Sequence, residues 1–238
     1  MNHINDSSKP LIFLGSNSIM YKFTEVCDIV GIKVAGLIDS DYHSNTEHIC
    51  EVPVVDTERC FEDPAKLEHY RNNFNFFCAV NWLPEKTPVM ERNKSKRLML
   101  LELIQRYNLP CISIVDPDAR ISRRSKIGYG CFVDAHVMIE PRTTVGNFTN
   151  IYYNTILGHD NTVGDNCVFQ RQVILTGGNA VGNNCYFAPA VKFMKFGAAA
   201  GNNTFIQEGI YLRRGTVENE VVSEHGGNQS RVKSYPTI

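Results

Sequence analysis

Several ingredients are scarce in this chain of 238 residues, and each scarcity excludes something. No uninterrupted apolar run approaches the ~20 residues that a membrane-spanning helix needs, so no membrane span is expected. An excess of one charge is missing as well. The 24 basic and 25 acidic residues leave a net charge of −1, which offers no electrostatic footprint for nucleic acid or an anionic membrane surface. Met1–Lys9 is polar and has no apolar segment of the kind that opens a secretory signal. Eight cysteines are present, but none form CxxC and none show metal-ligand spacing. His43, His48 and Cys50 share one loop without a second ligand pair, so no metal is expected. Without a signal, the thiols are expected to be reduced, in a cytoplasmic protein.

What the chain has is a period. From Val115, stepping by six, come Ile121, Ile127, Val133, Ile139, Val145, Ile151, Leu157, Val163, Phe169, Leu175, Val181, Phe187 and Phe193, all apolar. A helix repeats every 3.6 residues and a strand every two, so a period of six demands another geometry. A parallel β-helix supplies it, with three short flat sides closing one coil of ~18 residues. Two positions before most of the large apolar residues comes a small one: Ser125, Cys131, Val137, Thr143, Thr149, Thr155, Cys167, Val173, Cys185, Val191 and Gly197. Cys131, Cys167 and Cys185 are therefore wall residues, not reactive thiols. Gly128, Gly146, Gly158, Gly164-Asp-Asn166 and Gly182-Asn-Asn184 are expected at corners with positive φ. The segment from Val163 to Phe169 recurs 18 residues later from Val181 to Phe187. It recurs again 19 residues on, from Ala200 to Ile206, which places one extra residue within Lys195–Ala200.

The first half reads differently. Leu11–Leu14 is a buried strand, Gly15-Ser-Asn-Ser18 a turn, Ile19–Val30 a helix capped by Asn17 or Ser18 and ended by Gly31, and Lys33–Ile38 a second strand ending at Asp39. In such a βαβ unit an anion sits at the helix N-terminus and the acid ending the second strand meets ribose hydroxyls. Gly15, Ser16, Asn17 and Asp39 are thus candidate substrate-binding residues, although G-x-G-x-x-G is absent. The alternative is a loop that caps its own helix and binds nothing. Phe74–Val80 reads as a third strand and Glu91–Tyr107 as an amphipathic helix, with Lys94, Lys96 and Arg97 on a solvated face. Cys111–Val115 is a last strand feeding the first coil. The boundary falls near residue 113, dividing 1–113 from 114–238.

Together the halves resemble the sugar O/N-acyltransferases of the NeuD/PglD type. Leu157-Gly-His-Asp-Asn-Thr-Val-Gly-Asp-Asn166 is similar to the family's V-x-H-D-C-V-I-G-D. Leu175-Thr-Gly-Gly178 is similar to L-A-G-G, and Gly227-Asn-Gln-Ser-Arg-Val232 to the closing G-N-P-A-R/K-V. Gly36-Leu-Ile-Asp39 and Val52-Pro-Val-Val55 resemble the family's second strand and the segment after it. The resemblance implies a Rossmann-like N-domain joined to a left-handed β-helix, acetyl-CoA as co-substrate, a nucleotide-sugar substrate, and a homotrimer with active sites between subunits. Phe148, Tyr152 and Ile156 are expected to face outward with no helix to cover them, which also suits a trimer packed along its coils. The resemblance also implies that His159 is the general base. A group titrating near neutrality suits an acyl transfer whose attacking amine or hydroxyl sheds a proton. Asp160 can orient the ring or favour its protonated form. Gly177 lies one coil further in the same column, where its N–H can stabilise an oxyanion, and Gly178 accompanies it in acyl-CoA binding.

The chain departs from the family at Val168, where a second His is usual, at the reduced glycine loop, and at Gln229-Ser230. His136 reads as structural, and Arg213 and Arg214 as a solvated edge, with contact to CoA phosphates as the alternative. The expected activity is acetyl transfer to an amino group of a nucleotide-linked deoxysugar. The alternatives are sugar O-acetylation and a non-catalytic scaffold that keeps the fold.

Overall fold

A computed structural model of the chain describes residues 3–41, 48–82 and 88–223, and the Gly227–Val232 motif and His43 lie outside them. The chain divides into two compact units, Met1–Ile114 and Val115–Ile238.

In the first unit, β1 (Leu11–Leu14) is fully buried and α1 (Met20–Val30) follows the Gly15 turn. Asn17 does not cap the helix from the N-cap position, which is Ile19. Its Oδ1 instead accepts the Ile19 N–H at 3.2 Å, inside the turn. Gly31 ends the helix in the left-handed region, at φ 73. β2 (Val34–Ile38) pairs in parallel with β1. Four further elements had no periodic signal long enough to read. They are β3 (His48–Ile49), β4 (Val52–Asp56), a 3-10 turn (Glu58–Glu62) and α2 (Pro64–Asn73). Asp63 caps α2 by accepting from the N–H groups of Ala65 and Lys66, with Pro64 in the first turn. β5 (Asn75–Cys78) and α3 (Pro88–Tyr107) complete the unit. The sheet order is β3-β4-β2-β1-β5, all parallel except the β3–β4 pair, so the sheet is mixed.

The second unit realises the six-residue period as two-residue strands in three parallel sheets. Register steps are 18 residues, as in Thr144↔Thr162, Ile156↔Ile174 and Val168↔Tyr186. The step becomes 19 at Ala180↔Ala199, Tyr186↔Phe205 and Lys192↔Tyr211, so the extra residue lies between Phe193 and Ala199. Val133, Ile151, Leu157, Phe169, Leu175, Phe187 and Phe193 are completely buried along the axis. Phe169 and Phe187 stack at 4.7 Å. Each such side chain contributes about 1.5–3 kcal/mol by leaving water, which lets a column this narrow hold together.

The corners differ from expectation in one respect. Positive φ falls at Arg142, Asp160, Asn166, Gln172 and Asn184, among others, but not at Gly128, Gly146, Gly158, Gly164 or Gly182. Those glycines answer to close approach. A Cβ on Gly146 would lie 2.6 Å from the backbone of Gly164, and one on Gly164 would lie 2.8 Å from that of Gly182. Stacked turns separated by one strand spacing leave no room there for a side chain. The wall cysteines also have a structural use. The thiols of Cys131, Cys167 and Cys185 each donate to a carbonyl of the next coil at 3.1 Å, and burial pushes Cys167 up.

Candidate active site

Gly158 and the left-handed corner at Asp160 put His159 at the rim of the second unit, with its side chain about half exposed. Asp160 Oδ2 lies 2.7 Å from His159 Nδ1, and the carboxylate accepts from that nitrogen in the Nδ1–H tautomer. Nε2 is then the atom left with a lone pair. The backbone N–H of His159 donates to Glu140 Oε2 at 3.0 Å, one coil earlier. Arg142 forms a bidentate pair with Asp160, and that pair, followed by the His159 hydrogen bond, holds the Asp160 carboxyl well below the usual carboxylate range.

One coil on, Gly177 lies against the imidazole. A Cβ there would sit 2.9 Å from Nε2 and 2.8 Å from Cε1, so any side chain would fill the space beside the ring's open nitrogen. The Gly178 N–H is spent on the His159 carbonyl at 2.9 Å. Gly178 has φ 72, and a Cβ on it would reach within 3.2 Å of Phe196. Phe196 stands in the seven-residue step that carries the extra residue. Its ring centroid is 5.8 Å from that of His159, and it is 63% exposed, an aromatic face open to whatever occupies the rim.

Two residues the sequence reading passed over hold this corner. Asn161 and Asn179 occupy the inward small position, and each is about 1% exposed. Asn161 Nδ2 donates to the carbonyl of Gly158 at 2.6 Å, and Asn179 Nδ2 donates to that of Thr176 at 2.6 Å. Those are the carbonyls immediately before His159 and Gly177. Asn161 Oδ1 accepts the Asn179 N–H at 2.7 Å, and Asn179 Oδ1 accepts the Ala198 N–H at 2.9 Å. The signal was legible: Asn161 stands where the family motif has Cys, and carboxamides break a column of Thr, Cys and Val. Asn161→Ala should cost about 1–3 kcal/mol, because the buried Asn179 N–H loses its acceptor, while the Gly158 carbonyl keeps the Thr143 hydroxyl as a donor. Denaturant unfolding monitored by circular dichroism checks this. An unchanged midpoint would mean that the ladder is not what holds the corner.

Val168 is completely buried, in register with Asn150 and Tyr186, and offers no polar atom at the second-His position. Arg214 pairs with Glu220, and Arg213 lies over the Tyr211 ring at 5.0 Å.

In the first unit, Gly15, Ser16, Asn17 and Asp39 come together at the ends of β1 and β2, but their polar groups are engaged internally. Asn17 Nδ2 donates to the Asn81 carbonyl at 2.9 Å. Asp39 is completely buried. It accepts from Ser16 Oγ at 2.9 Å, from the Asp41 N–H at 3.0 Å and from Lys96 Nζ at 2.5 Å. Lys96 also pairs with Asp41 at 2.7 Å. Burial pushes the Lys96 ammonium down, but the hydrogen bonds it donates to the Asp39 and Asp41 carboxylates outweigh this and the net shift is up.

The expected solvated face is therefore corrected. Lys96 is nearly buried, Arg97 is 1% exposed and donates to the Val80 carbonyl at 2.5 Å, and Lys94 lies over Trp82 at 5.7 Å. α3 packs its basic stripe onto the polar C-terminal edge of the sheet, where carbonyls and carboxylates collect. Charge alone did not mark that face as inward.

Among the described residues, no group of three or more metal-ligating side chains exists, and no helix is long and apolar enough to cross a membrane.

The build is thus a mixed α/β unit followed by a hexapeptide-period parallel β-helix with a His–Asp pair at its rim. No family model and no curated protein matches the chain. Solved structures do match it. One is a histidine-to-asparagine variant of perosamine N-acetyltransferase from Caulobacter crescentus, in complex with CoA and GDP-perosamine. It is 20% identical with TM-score 0.71, over 90% of this chain and 93% of that one. WeeI from Acinetobacter baumannii AYE is 14% identical with TM-score 0.73, over 91% and 97%. PerB from Caulobacter crescentus, with the same two ligands, is 17% identical with TM-score 0.54, over 90% and 93%. At these identities the likeness establishes a shared fold.

Proposed function

We propose that this chain is an acetyl-CoA-dependent N-acetyltransferase acting on a nucleotide-linked amino sugar. The observation that carries the reading is the His159–Asp160 pair beside Gly177, on a fold shared with a structure that holds CoA and GDP-perosamine. The neutral sugar amine attacks the thioester carbonyl, and His159 Nε2 takes the amine proton as the C–N bond forms. The Gly177 N–H, which has no hydrogen-bond acceptor among those identified in the described residues, faces the developing oxyanion. Collapse breaks the C–S bond, and the proton on His159 passes to the departing thiolate. Gly178 adds a side-chain-free wall to the acyl-CoA end. The β-helix is left-handed in this reading, and the first unit is a Rossmann-like sugar-nucleotide domain in a cytoplasmic enzyme. Gly15, Ser16 and Asn17 line its nucleotide end, and Asp39 holds Ser16 and Lys96 in place behind them.

CoA release with a panel of GDP-, UDP- and dTDP-linked amino sugars tests the activity. Turnover with a hydroxyl acceptor alone would transfer the reading to O-acetylation. CoA binding without turnover on any acceptor would favour a scaffold, the reading to which the internally engaged Asp39 lends support.

We further propose a homotrimer with active sites between subunits. Phe148 and Tyr152, expected to face outward, are buried within the chain against Tyr129 and Phe132 and argue nothing here. The support comes from Met138, Ile156 and Ile174, an in-register apolar stripe left partly exposed on one sheet face. Light scattering at micromolar concentration should give three times the chain mass, and Ile156→Lys should shift it toward monomer. A monomeric parent protein would refute the proposal.

A further inference from the structure

Arg142 lies one coil before Asp160 at the same left-handed corner, with φ 63 against 58. Its Nε donates to Asp160 Oδ1 at 2.5 Å and an Nη to Oδ2 at 2.6 Å. Oδ2 is also the atom that meets His159 Nδ1. One carboxylate therefore serves two cationic or potentially cationic partners. We infer that Arg142 is a positioning residue that keeps the His159 base neutral, by sharing the carboxylate that fixes the ring's tautomer. The inference rests on the proposal that His159 is the base.

The physical argument is one of balance. A carboxylate at hydrogen-bond distance orients an imidazole, but it also stabilises the imidazolium and raises the ring's pKa. A base that is already protonated cannot accept the amine proton. The guanidinium across the same carboxylate opposes the imidazolium by direct repulsion and draws on the same lone pairs. It does so at every working pH, because arginine does not release its proton. The fork also anchors both carboxylate oxygens, which stops Asp160 from swinging away from Nδ1.

The other groups packed against His159 do not duplicate this. From the preceding coil Glu140 contacts its backbone N–H. From the following coil the ring meets Gly177 and Phe196, neither of which titrates. Asp160 and Arg142 are 37% and 59% exposed, so the effect should be moderate and should weaken with salt.

The test uses the full chain without ligands. The His159 Cε1–H resonance, assigned by its loss in His159→Asn, is titrated by NMR in the parent, Arg142→Met and Arg142→Lys. Arg142→Met should raise the His159 pKa by roughly half a unit to one unit, less at high salt. Arg142→Lys, which keeps the charge without the fork, should recover about half of the shift. In turnover, the acid limb of the kcat profile should move up by the same amount. The Arg142→Met loss, about threefold to tenfold on the acid limb, should shrink near neutral pH and disappear at higher pH. A His159 pKa within about 0.2 unit of the parent would overturn the inference. So would a rate loss equal at all pH, which marks a merely structural role. If the pKa shift is seen while His159 variants keep full kcat, the base assignment fails and the Arg142–Asp160–His159 coupling stands.

Discussion

Replacing His159 by Ala or Asn should lower kcat by ~10²–10⁴-fold while the fold and acetyl-CoA binding persist. The side chain is half exposed at a rim and carries no core contact, so its removal leaves the column of inward residues untouched. What disappears is the Nε2 lone pair, held in place because Nδ1 is committed to Asp160. Asp160→Asn should cost less than the loss of the ring itself, since it removes a hydrogen-bonded charge but leaves the proposed base in place. Initial-rate patterns with both substrates should intersect, because the buried wall thiols are committed to backbone carbonyls and no acyl-enzyme is expected. A near-normal kcat in the His159 variants would mean that proximity and the Gly177 amide suffice for an amine that is already neutral. Parallel patterns would imply an acyl-enzyme and would overturn direct transfer.

The second large effect is expected in the first unit. Asp39→Ala should destabilise it by about 3–5 kcal/mol, the usual cost of removing one partner from a buried ion pair. Lys96, with 9% of its side chain exposed, would lose its shortest carboxylate partner, and Ser16 Oγ would lose its acceptor. Lys96→Met should be nearly as damaging, because it strands a completely buried carboxylate. The double variant Asp39→Leu with Lys96→Met should recover part of the loss, since neither charge then remains unpaired. Urea unfolding of the three proteins measures this. If Asp39→Ala proves as stable as the parent and raises only the KM for the sugar nucleotide, Asp39 faces ligand directly and the ion pair is incidental.

The β-helix was legible residue by residue because its geometry is local and repeats. Each inward position from Ile127 to Phe193 is set by the same short turn, so a period of six in the sequence is a period of six in space. The 19-residue step near Phe196 could be counted for the same reason, but not its result, a phenyl ring set against His159. In the first unit β1, α1 and β2 followed from an apolar run, a turn and Gly31. α2 escaped because Pro64–Asn73 has almost no apolar stripe, and its start rests on the Asp63 cap.

What the sequence by itself determined, then, is what depends on neighbours along the chain or on a strict repeat. This covers the β-helix, its inward residues, the wall cysteines, and the column that brings Gly177 to His159. Tertiary structure decided whatever depends on which charges meet across distant segments. Lys96 reaches Asp39 across 57 residues, Arg142 reaches Asp160 across 18, and Phe148 folds in against Tyr129 instead of facing out. The physical reason is that burial of an apolar side chain is non-directional and tolerates a pattern, whereas an ion pair or hydrogen bond requires two particular atoms within about 3 Å. A pattern can be read from one strand of text; the meeting of two atoms is fixed only when the chain has closed around them.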